Sequence, residues 1–589
     1  MIEEEKERAN SLIKKIFGKS LKPQKMLDIS EWADRYRVLS TEGSPEPGKW
    51  RTARTPYMKE IFKCVTNTET VTITIMSSSQ VGKTELLLNI IGRFMHLDPC
   101  PILLIFPTST FGKAFSHERL TPTIRDTEVL RNLVMVDNND TVLRKKFPGG
   151  YVSIVGAQSP TELSGRPVRI VLMDEVDRFP ASAGTEGSPI ELADRRTQNF
   201  QNKKSIRVST PTLEGTSLIH EEYKLSSQEE WSLKCPECGE YQVLHWENIK
   251  WEKENRKIIK LLCSHCGVLN IEKRWGDNKK DGKWIAKYPE IKNHRGFAMN
   301  ALASPWVTWE EVVEEFYSSK DEPTKLQTFY NTVLGIPWTI NVSDIKDFMK
   351  IYNSRIDYGG ELHEDIIYLT AGVDVQANRL ELEIVGWGKG QRSYGVLYTA
   401  VQGNPAEQET WNKLEKILKR EFYYKNKKNK LKVAITLIDS GHATNEVYKF
   451  VHDKEQENIF AIKGIGGEGK NPINGFNTIA KEGCLPINLL SLGVNALKDT
   501  TYFRLDIVEG PGQCFFPIEN GYNSTDYFKG LTAEVKQLQT TNKGKKYAWE
   551  IIKGRKRNEP LDIRNYATAG MLFIENTEQL LREEEGEDV

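Results

Sequence analysis

The chain has 589 residues, too many for one hydrophobic core, and its length alone predicts roughly two to four domains. Lysine plus arginine equals aspartate plus glutamate at 81 each, so no global charge announces a polyanion partner and any nucleic-acid contact falls to local patches. No apolar run nears the ~20 residues of a membrane span, and the charged start MIEEEKERANSLIKKIF does not read as a secretory leader, so a protein that stays in the cytoplasm, without membrane partners, is expected.

In chain order, residues 1–70 read as a polar N-terminal region of helix and loop, with a Pro/Gly-rich stretch STEGSPEPGKWRTARTPY. From residue 71 to 232 short β-rich runs alternate with amphipathic helices. TVTITIM (Thr70–Met76), PILLIFP (Pro101–Pro107), YVSIVGA (Tyr151–Ala157), VRIVLMDE (Val168–Glu175) and KSIRVSTPT (Lys204–Thr212) are the predicted strands. Near-continuous apolar runs separated by helices predict a parallel sheet covered on both faces, an α/β nucleotide-binding architecture. A cysteine-bearing insert follows over 233–284, a helical connecting region over 285–340 and a polar linker over 341–364. Beyond it, over 365–589, IIYLTAGVDVQ, RLELEIVGWG and RSYGVLYTAV predict an antiparallel meander. The helix ETWNKLEKILKREFYY and the strand LKVAITLIDSG come next. That order is the opening of an RNase H-like fold.

SSSQVGKT (Ser77–Thr84) fits the phosphate-loop pattern with Ser77 in place of the first glycine, and it follows a predicted strand and opens a predicted helix. Loop amides from Ser79, Gln80, Val81 and Gly82 suit phosphate oxygens, Lys83 the outer phosphates and Thr84 a magnesium ion. About ninety residues later LMDEVD ends a hydrophobic strand with Asp174, suited to magnesium, and Glu175, suited to activating water. STPT (Ser209–Thr212) ends the next strand, where its hydroxyls either sense the γ-phosphate or cap a turn. Arg166, Arg169, Arg195 and Arg196 are open candidates for an arginine finger, and Tyr57 is either an adenine contact or a core aromatic.

CPECG and CSHCG place Cys235, Cys238, Cys263 and Cys266 in two Cys-x-x-Cys knuckles, each followed by a glycine that lets the turn close. Four thiolates leave no open position for water, so a structural zinc ribbon is expected, with a redox or vestigial pair as the alternative. Cys64, Cys100, Cys484 and Cys514 read as core residues.

In the C-terminal region Asp374 lies in the first predicted strand and Asp439 ends the fourth, which neighbour each other in an RNase H-like sheet. Asp562, in NEPLDIRNYATAGMLF, begins a helix and completes a set able to hold two divalent ions for phosphodiester cleavage. Glu559 competes with Asp562, for which a helix N-cap is the plain alternative. Glu381 and Glu383 are either a further ligand or solvent-facing strand positions. Lys425–Lys430 (KNKKNK), Lys553–Arg557 (KGRKR) and Arg144–Lys146 are basic runs fit for DNA or for a solvated surface.

This succession, together with the opening WADRYRVLSTEGSPEPGKWRTARTPYMKEI, resembles the large terminase subunit of tailed phages, the lambda-type GpA family, over nearly the whole chain. The resemblance implies a P-loop, RecA/ASCE-like ATPase that uses ATP to translocate viral double-stranded DNA into a procapsid, and an endonuclease that cuts concatemers. It implies that Lys83 and Thr84 hold nucleotide, that Asp174 and Glu175 serve magnesium and water, and that Asp374, Asp439 and Asp562 hold magnesium or manganese. It further implies a small terminase subunit, a portal protein and a ring of further copies as partners, in the host cytoplasm. Many terminases carry a basic residue inside the phosphate loop; this chain has none before Lys83. The alternative, a helicase-nuclease of repair or recombination, shares both acid sets but calls for further helicase motifs on a second lobe, and none follows Thr212.

Overall fold

The computed structural model describes residues 26–585 apart from 135–141, 253–257, 321, 340–344, 468, 481–485 and 542–543. Cys484 and the start of the expected 341–364 linker therefore lie outside the described residues. The chain divides into two compact units, one comprising residues up to 316 with 328–339, the other 317–327 with residues from 340 onward. No helix among the described residues is long and apolar enough to cross a membrane.

The first unit is built on a ten-stranded sheet. Its strands are β1 (Thr72–Ser77), β2 (Pro101–Phe106), β3 (Arg144–Phe147), β4 (Gly150–Gly156), β5 (Ile170–Asp174), β6 (Lys204–Ser209), β7 (Glu229–Lys234), β8 (Tyr241–Val243), β9 (Lys283–Ala286) and β10 (His294–Met299). The order is β8-β7-β10-β1-β6-β5-β2-β4-β3, with β9 also on β7. From β7 to β4 every neighbour is parallel, and only β3, β8 and β9 run antiparallel. The five predicted strands appear within two or three residues of their expected bounds. Each central one is buried, as continuous apolar runs such as IVLMD require. The sheet also reaches past residue 232: β10, from the segment expected to be a helical connection, pairs directly with β1, and β8 and β9 come from the cysteine-bearing insert. The remainder of the insert forms a small antiparallel sheet of Ile249–Trp251, Ile259–Leu262 and Leu269–Ile271.

In the second unit the strands are β11 (Tyr368–Gln376), β12 (Arg379–Gly388), β13 (Arg392–Gln402), β14 (Val433–Asp439), β15 (Ile459–Ile465), β16 (Ile473–Ile479), β17 (Ile487–Gly493) and β18 (Cys514–Phe515). They form one sheet in the order β16-β17-β15-β14-β11-β12-β13-β18. The meander β11-β12-β13 is antiparallel, and β14 and β15 add in parallel on the other side of β11. The expected helix 409–424 stops at Leu418. Phe422–Tyr423 instead pairs with Lys430–Leu431, and the exposed KNKKNK run lies at that hairpin.

The long helix Glu559–Glu585 crosses this sheet directly over β11. Gly372 makes that approach possible: a Cβ there would collide with the backbone of Ile563, so the helix seats on the strand where a side chain is missing. The contact fixes where the first turn of the helix, and Asp562 with it, meets the sheet.

Candidate functional site

Three clusters of chemistry-bearing side chains are assembled. The first is the loop between β1 and the helix Lys83–Leu97. Ser77 is still in strand conformation, so serine is harmless where a glycine was expected; the left-handed positions are Gln80 (φ 55°) and Gly82 (φ 83°). Gly82 is further constrained because a Cβ would sit 2.6 Å from Met58 Cε. The loop is held from outside: Tyr57 Oη donates to Val81 O (3.0 Å), Ser304 Oγ to Gln80 O (3.1 Å), and Ser79 donates its N–H and Oγ to Thr332 O (2.7 and 2.9 Å). Tyr57 is thus a buried brace under the loop, the core-aromatic alternative. Lys83 Nζ folds back to Ser78 O at 2.8 Å, and Thr84 follows it in the first helical turn.

Asp174 and Glu175 face this lysine electrostatically. Burial lowers the Lys83 pKa while Glu175 and Asp174 oppose the shift; burial pushes Asp174 up to about 7, with Glu175 adding to the rise. Glu175 sits in a left-handed turn (φ 55°) just past β5, with Thr210 Oγ1 3.4 Å and Arg178 Nε 3.8 Å from its Oε2. The STPT motif supplies hydroxyls to two acids of the turn after β5. Thr210 reaches the acid, while Thr212 Oγ1 donates to Asp177 (2.8 Å), which also accepts Ile219 N–H (2.7 Å).

Of the four candidate arginines, Arg169 lies away from this chain's own phosphate loop. It bonds Pro101 O at the opening end of β2, away from the loop, and grips Asp98 with both terminal nitrogens (2.8 and 2.5 Å). Arg196 donates to Ser164 O, and Arg166 and Arg195 are exposed. Arg178, which sequence reasoning passed over, is the arginine beside Glu175. Its position three residues on, one helical turn away in DEVDR, was the available signal.

The second cluster is the four cysteines, whose sulfurs all lie within 4.8 Å of one another. Cys235 Sγ is 3.8 Å from Cys266 Sγ, and Cys238 Sγ 3.8 Å from Cys263 Sγ. Four sulfurs at about 2.3 Å from one tetrahedral zinc are about 3.8 Å apart, so the donor set fits that ion. Each knuckle closes with a glycine N–H bonded to the first cysteine's carbonyl (3.0 Å for both), and Gly239 (φ 76°) and Gly267 (φ 73°) take the left-handed turn. His265 is not needed for the set. Cys64 and Cys100 are buried and Cys514 half-buried.

The third cluster lies on the second unit's sheet. Val373 pairs with Ile438 across the parallel strands β11 and β14, so Asp374 and Asp439 stand abreast. Burial pushes Asp374 up to about 6; Gln376, which donates to it, opposes the rise, and Asp439, Glu559 and Glu381 add to it. Burial likewise raises Asp439, against hydrogen bonds from Gly441 and Ser440. Asp562 is pushed up to about 7 by burial, with Lys498 opposing and Glu534, Asp374 and Asp439 adding. Asp374 is buried and Asp439 and Asp562 half-buried; Asp439 adds to the rise of Asp374, and both add to that of Asp562, so the set gathers negative charge of the kind that suits divalent cations.

Asp562 is not an N-cap. Asn558 precedes the helix, and its Nδ2 donates to Asp562 Oδ2 (3.0 Å) and Glu534 Oε1 (2.7 Å). Lys498 bonds Glu534 (2.7 Å) and approaches Asp562 (3.8 Å). Glu559, the competitor, is instead paired with Arg379 (3.0 Å). The solvent-facing reading of Glu381 and Glu383 is corrected: both are 0% exposed, because the helix covers that face of β12. Glu383 is consumed by Tyr522 and Tyr527 (2.7 Å each) and Arg564 (3.0 Å), and Glu381 by Arg379, Arg557 and Tyr398. Lys498, Glu534 and Tyr566 carried no motif in sequence, and only the fold brings them beside the acids.

Comparison with known proteins bears on both units. The ATPase domain of phage terminase large subunit gpA matches residues 44–284, and the gpA endonuclease domain matches residues 294–580. The large terminase subunits of Enterobacteria phage P21 and Escherichia phage lambda are each 26% identical, over 92% of this chain and 89% and 88% of theirs. The solved large terminase of bacteriophage HK97 aligns with a TM-score of 0.35 at 10% identity, over 93% of this chain and 99% of that one. The helicase-nuclease alternative finds no support among them. With gpA ATPase and endonuclease domains following one another along nearly its whole length, the chain belongs to the lambda-type large terminase subunits, the ATPase-endonucleases of phage DNA packaging.

Proposed function

We propose that the first unit drives double-stranded viral DNA into a procapsid at the expense of ATP and that the second cuts concatemeric DNA by a two-metal route. The observation that carries this reading is the meeting of Asp374, Asp439 and Asp562 from two adjacent strands and one helix, in a different compact unit from Lys83, Asp174 and Glu175. The placement of β6 between β1 and β5 supports an ASCE-like ATPase, and the order β13-β12-β11-β14-β15 supports an RNase H-like nuclease. In this reading Ser79 to Thr84 and Asp174 bind ATP with magnesium, and Glu175 takes the proton of the attacking water. Asp374, Asp439 and Asp562 would hold magnesium or manganese, which when bound supplies Lewis acidity at the scissile phosphate. The four cysteines would hold a structural zinc that ties the insert together. A small terminase subunit, a portal protein and further copies in a ring are the proposed partners, and the host cytoplasm the proposed location.

The test is ATP-dependent packaging into matching procapsids beside plasmid cleavage. Lys83→Ala is expected to lose packaging and keep cutting, and Asp374→Ala to lose cutting and keep packaging of precut DNA. Loss of both activities in both variants would overturn the division of labour.

A further inference from the structure

The nuclease cluster is crowded with acids, yet its substrate is a polyanion. Beyond Asp374, Asp439 and Asp562, Glu381 is the direct cross-strand partner of Asp374, and Glu559 opens the helix that carries Asp562. Two arginines answer these two extra acids. Arg379 donates Nε to Glu381 (2.6 Å) and Nη2 to Glu559 (3.0 Å). Arg557 donates Nη2 to Glu381 (2.5 Å) and Nε to Glu559 (3.4 Å). Tyr398 Oη supplies Glu381 with a third donor at 3.0 Å. The result is a closed square of two carboxylates and two guanidinium groups on the flank of Asp374.

Stability does not explain the square. Burying Glu381 completely and drawing two arginines to it costs desolvation that apolar residues of similar volume would avoid. Nor does the square hide its charge, since half of the Arg557 side chain stays in solvent while Glu381 is fully covered. Arg557 also closes the basic run Lys553–Arg557, which leads straight into the helix bearing Asp562. An arginine locked by one buried and one half-buried acid and open on its outer edge is preorganised for a phosphate group, which a guanidinium meets with paired N–H donors.

We propose that Arg557, seconded by Arg379, anchors a DNA backbone phosphate beside the carboxylate cluster, with Glu381 and Glu559 fixing the orientation of the two guanidinium groups. Glu381 and Glu559 are then orienting acids and not metal ligands. The proposal rests on the carboxylate reading given above.

The experiment uses the full chain and two measurements: plasmid cleavage with magnesium as a function of DNA concentration, and equilibrium binding to a linear duplex with calcium in place of magnesium across a salt series. Arg557→Ala is expected to raise KM about tenfold, to leave kcat within about threefold, and to reduce the slope of log affinity against log salt by about one. Arg557→Lys keeps the salt slope but recovers only part of KM, and Glu381→Gln raises KM in the same direction. Arg557→Gln takes over the test if the alanine variant folds poorly. Wild-type KM and salt slope in Arg557→Ala overturn the anchor, and so does a loss confined to kcat. Asp374→Ala separates the two readings: if it still cuts, the carboxylate site itself is wrong, whereas an inactive Asp374→Ala beside a normal Arg557→Ala sinks the anchor alone.

Discussion

Asp374 and Asp439, sixty-five positions apart in sequence, stand side by side because the preceding residues Val373 and Ile438 are register partners on parallel strands. Asp374 is buried and Asp439 half-buried, burial raises both, and Asp439 adds to the rise of Asp374, an arrangement that suits a cation between them. Asp374→Asn or Asp439→Asn should lower DNA cleavage by at least about a hundredfold while ATP hydrolysis stays near wild type. Asp562→Ala should fall with them, and Glu559→Ala, whose carboxylate is already paired with Arg379, should retain cutting at least in part. A plasmid-nicking assay decides it: full activity in Asp562→Ala would remove the third ligand.

For the motor, Lys83 shares the electrostatic field of Asp174 and Glu175, Arg178 lies 3.8 Å from Glu175, and Glu175 sits in a left-handed turn just past β5. Lys83→Ala and Glu175→Gln should each reduce ATP turnover by at least about a hundredfold, the scale of losing charge stabilisation in phosphoryl transfer. Phosphate release in a coupled assay is the measurement, and wild-type turnover in either variant would refute the assignment.

The knuckle geometry predicts one zinc per chain. Cys263→Ser should release it and loosen the insert, which would show as new protease cuts between residues 235 and 283. Because β8 and β9 of the same insert pair with β7 in the ATPase sheet, the thermal stability of the first unit should fall too. Metal analysis of chelator-free protein that finds no zinc would favour the redox alternative.

Glu383 and Arg564 form a fully buried ion pair at 3.0 Å. Removing one partner leaves an uncompensated charge in the core, so Arg564→Met should cost about 3–5 kcal/mol. The double change Glu383→Leu with Arg564→Met should cost less than the single one. Denaturant unfolding of the variants tests this, and a loss below about 1 kcal/mol in Arg564→Met would contradict it.

His294 on β10 is hydrogen-bonded to Thr74 on β1 at 2.8 Å, and burial, aided by Arg207, lowers its pKa from the usual 6.5 to about 4. The folded chain keeps the ring neutral where the unfolded chain binds a proton. Its contribution to stability is therefore complete above about 6.5 and is lost as the pH falls towards 4. His294→Gln should flatten the melting temperature of the first unit against pH over that window. An unchanged slope would show that other groups set it.

The patterns legible in the sequence were those contained in short stretches. Apolar runs marked the parallel strands, GKT and DEVD marked a lysine and the two acids that share its field, and the paired Cys-x-x-Cys knuckles carried their own turn chemistry in Gly239 and Gly267. Even the pairing of Asp374 with Asp439 followed from strand order. What sequence left open were the contacts that depend on docking elements far apart in the chain. Glu381 and Glu383 alternate along β12 as solvent-facing residues would, and only the docking of the helix over Gly372, with Arg557, Tyr522 and Tyr527 arriving from other parts of the chain, buries and pairs them. The same helix brings both Asp562 and Glu559 near Asp374, and what sets them apart is that Glu559 is paired with Arg379 and Arg557. Lys498 and Glu534 reach Asp562 from an earlier helix and a hairpin with no spacing to announce them. Local periodicity fixes which face a residue takes within its own element, but the charge environment of that face is set by whichever element packs on it, and that is a property of the tertiary fold.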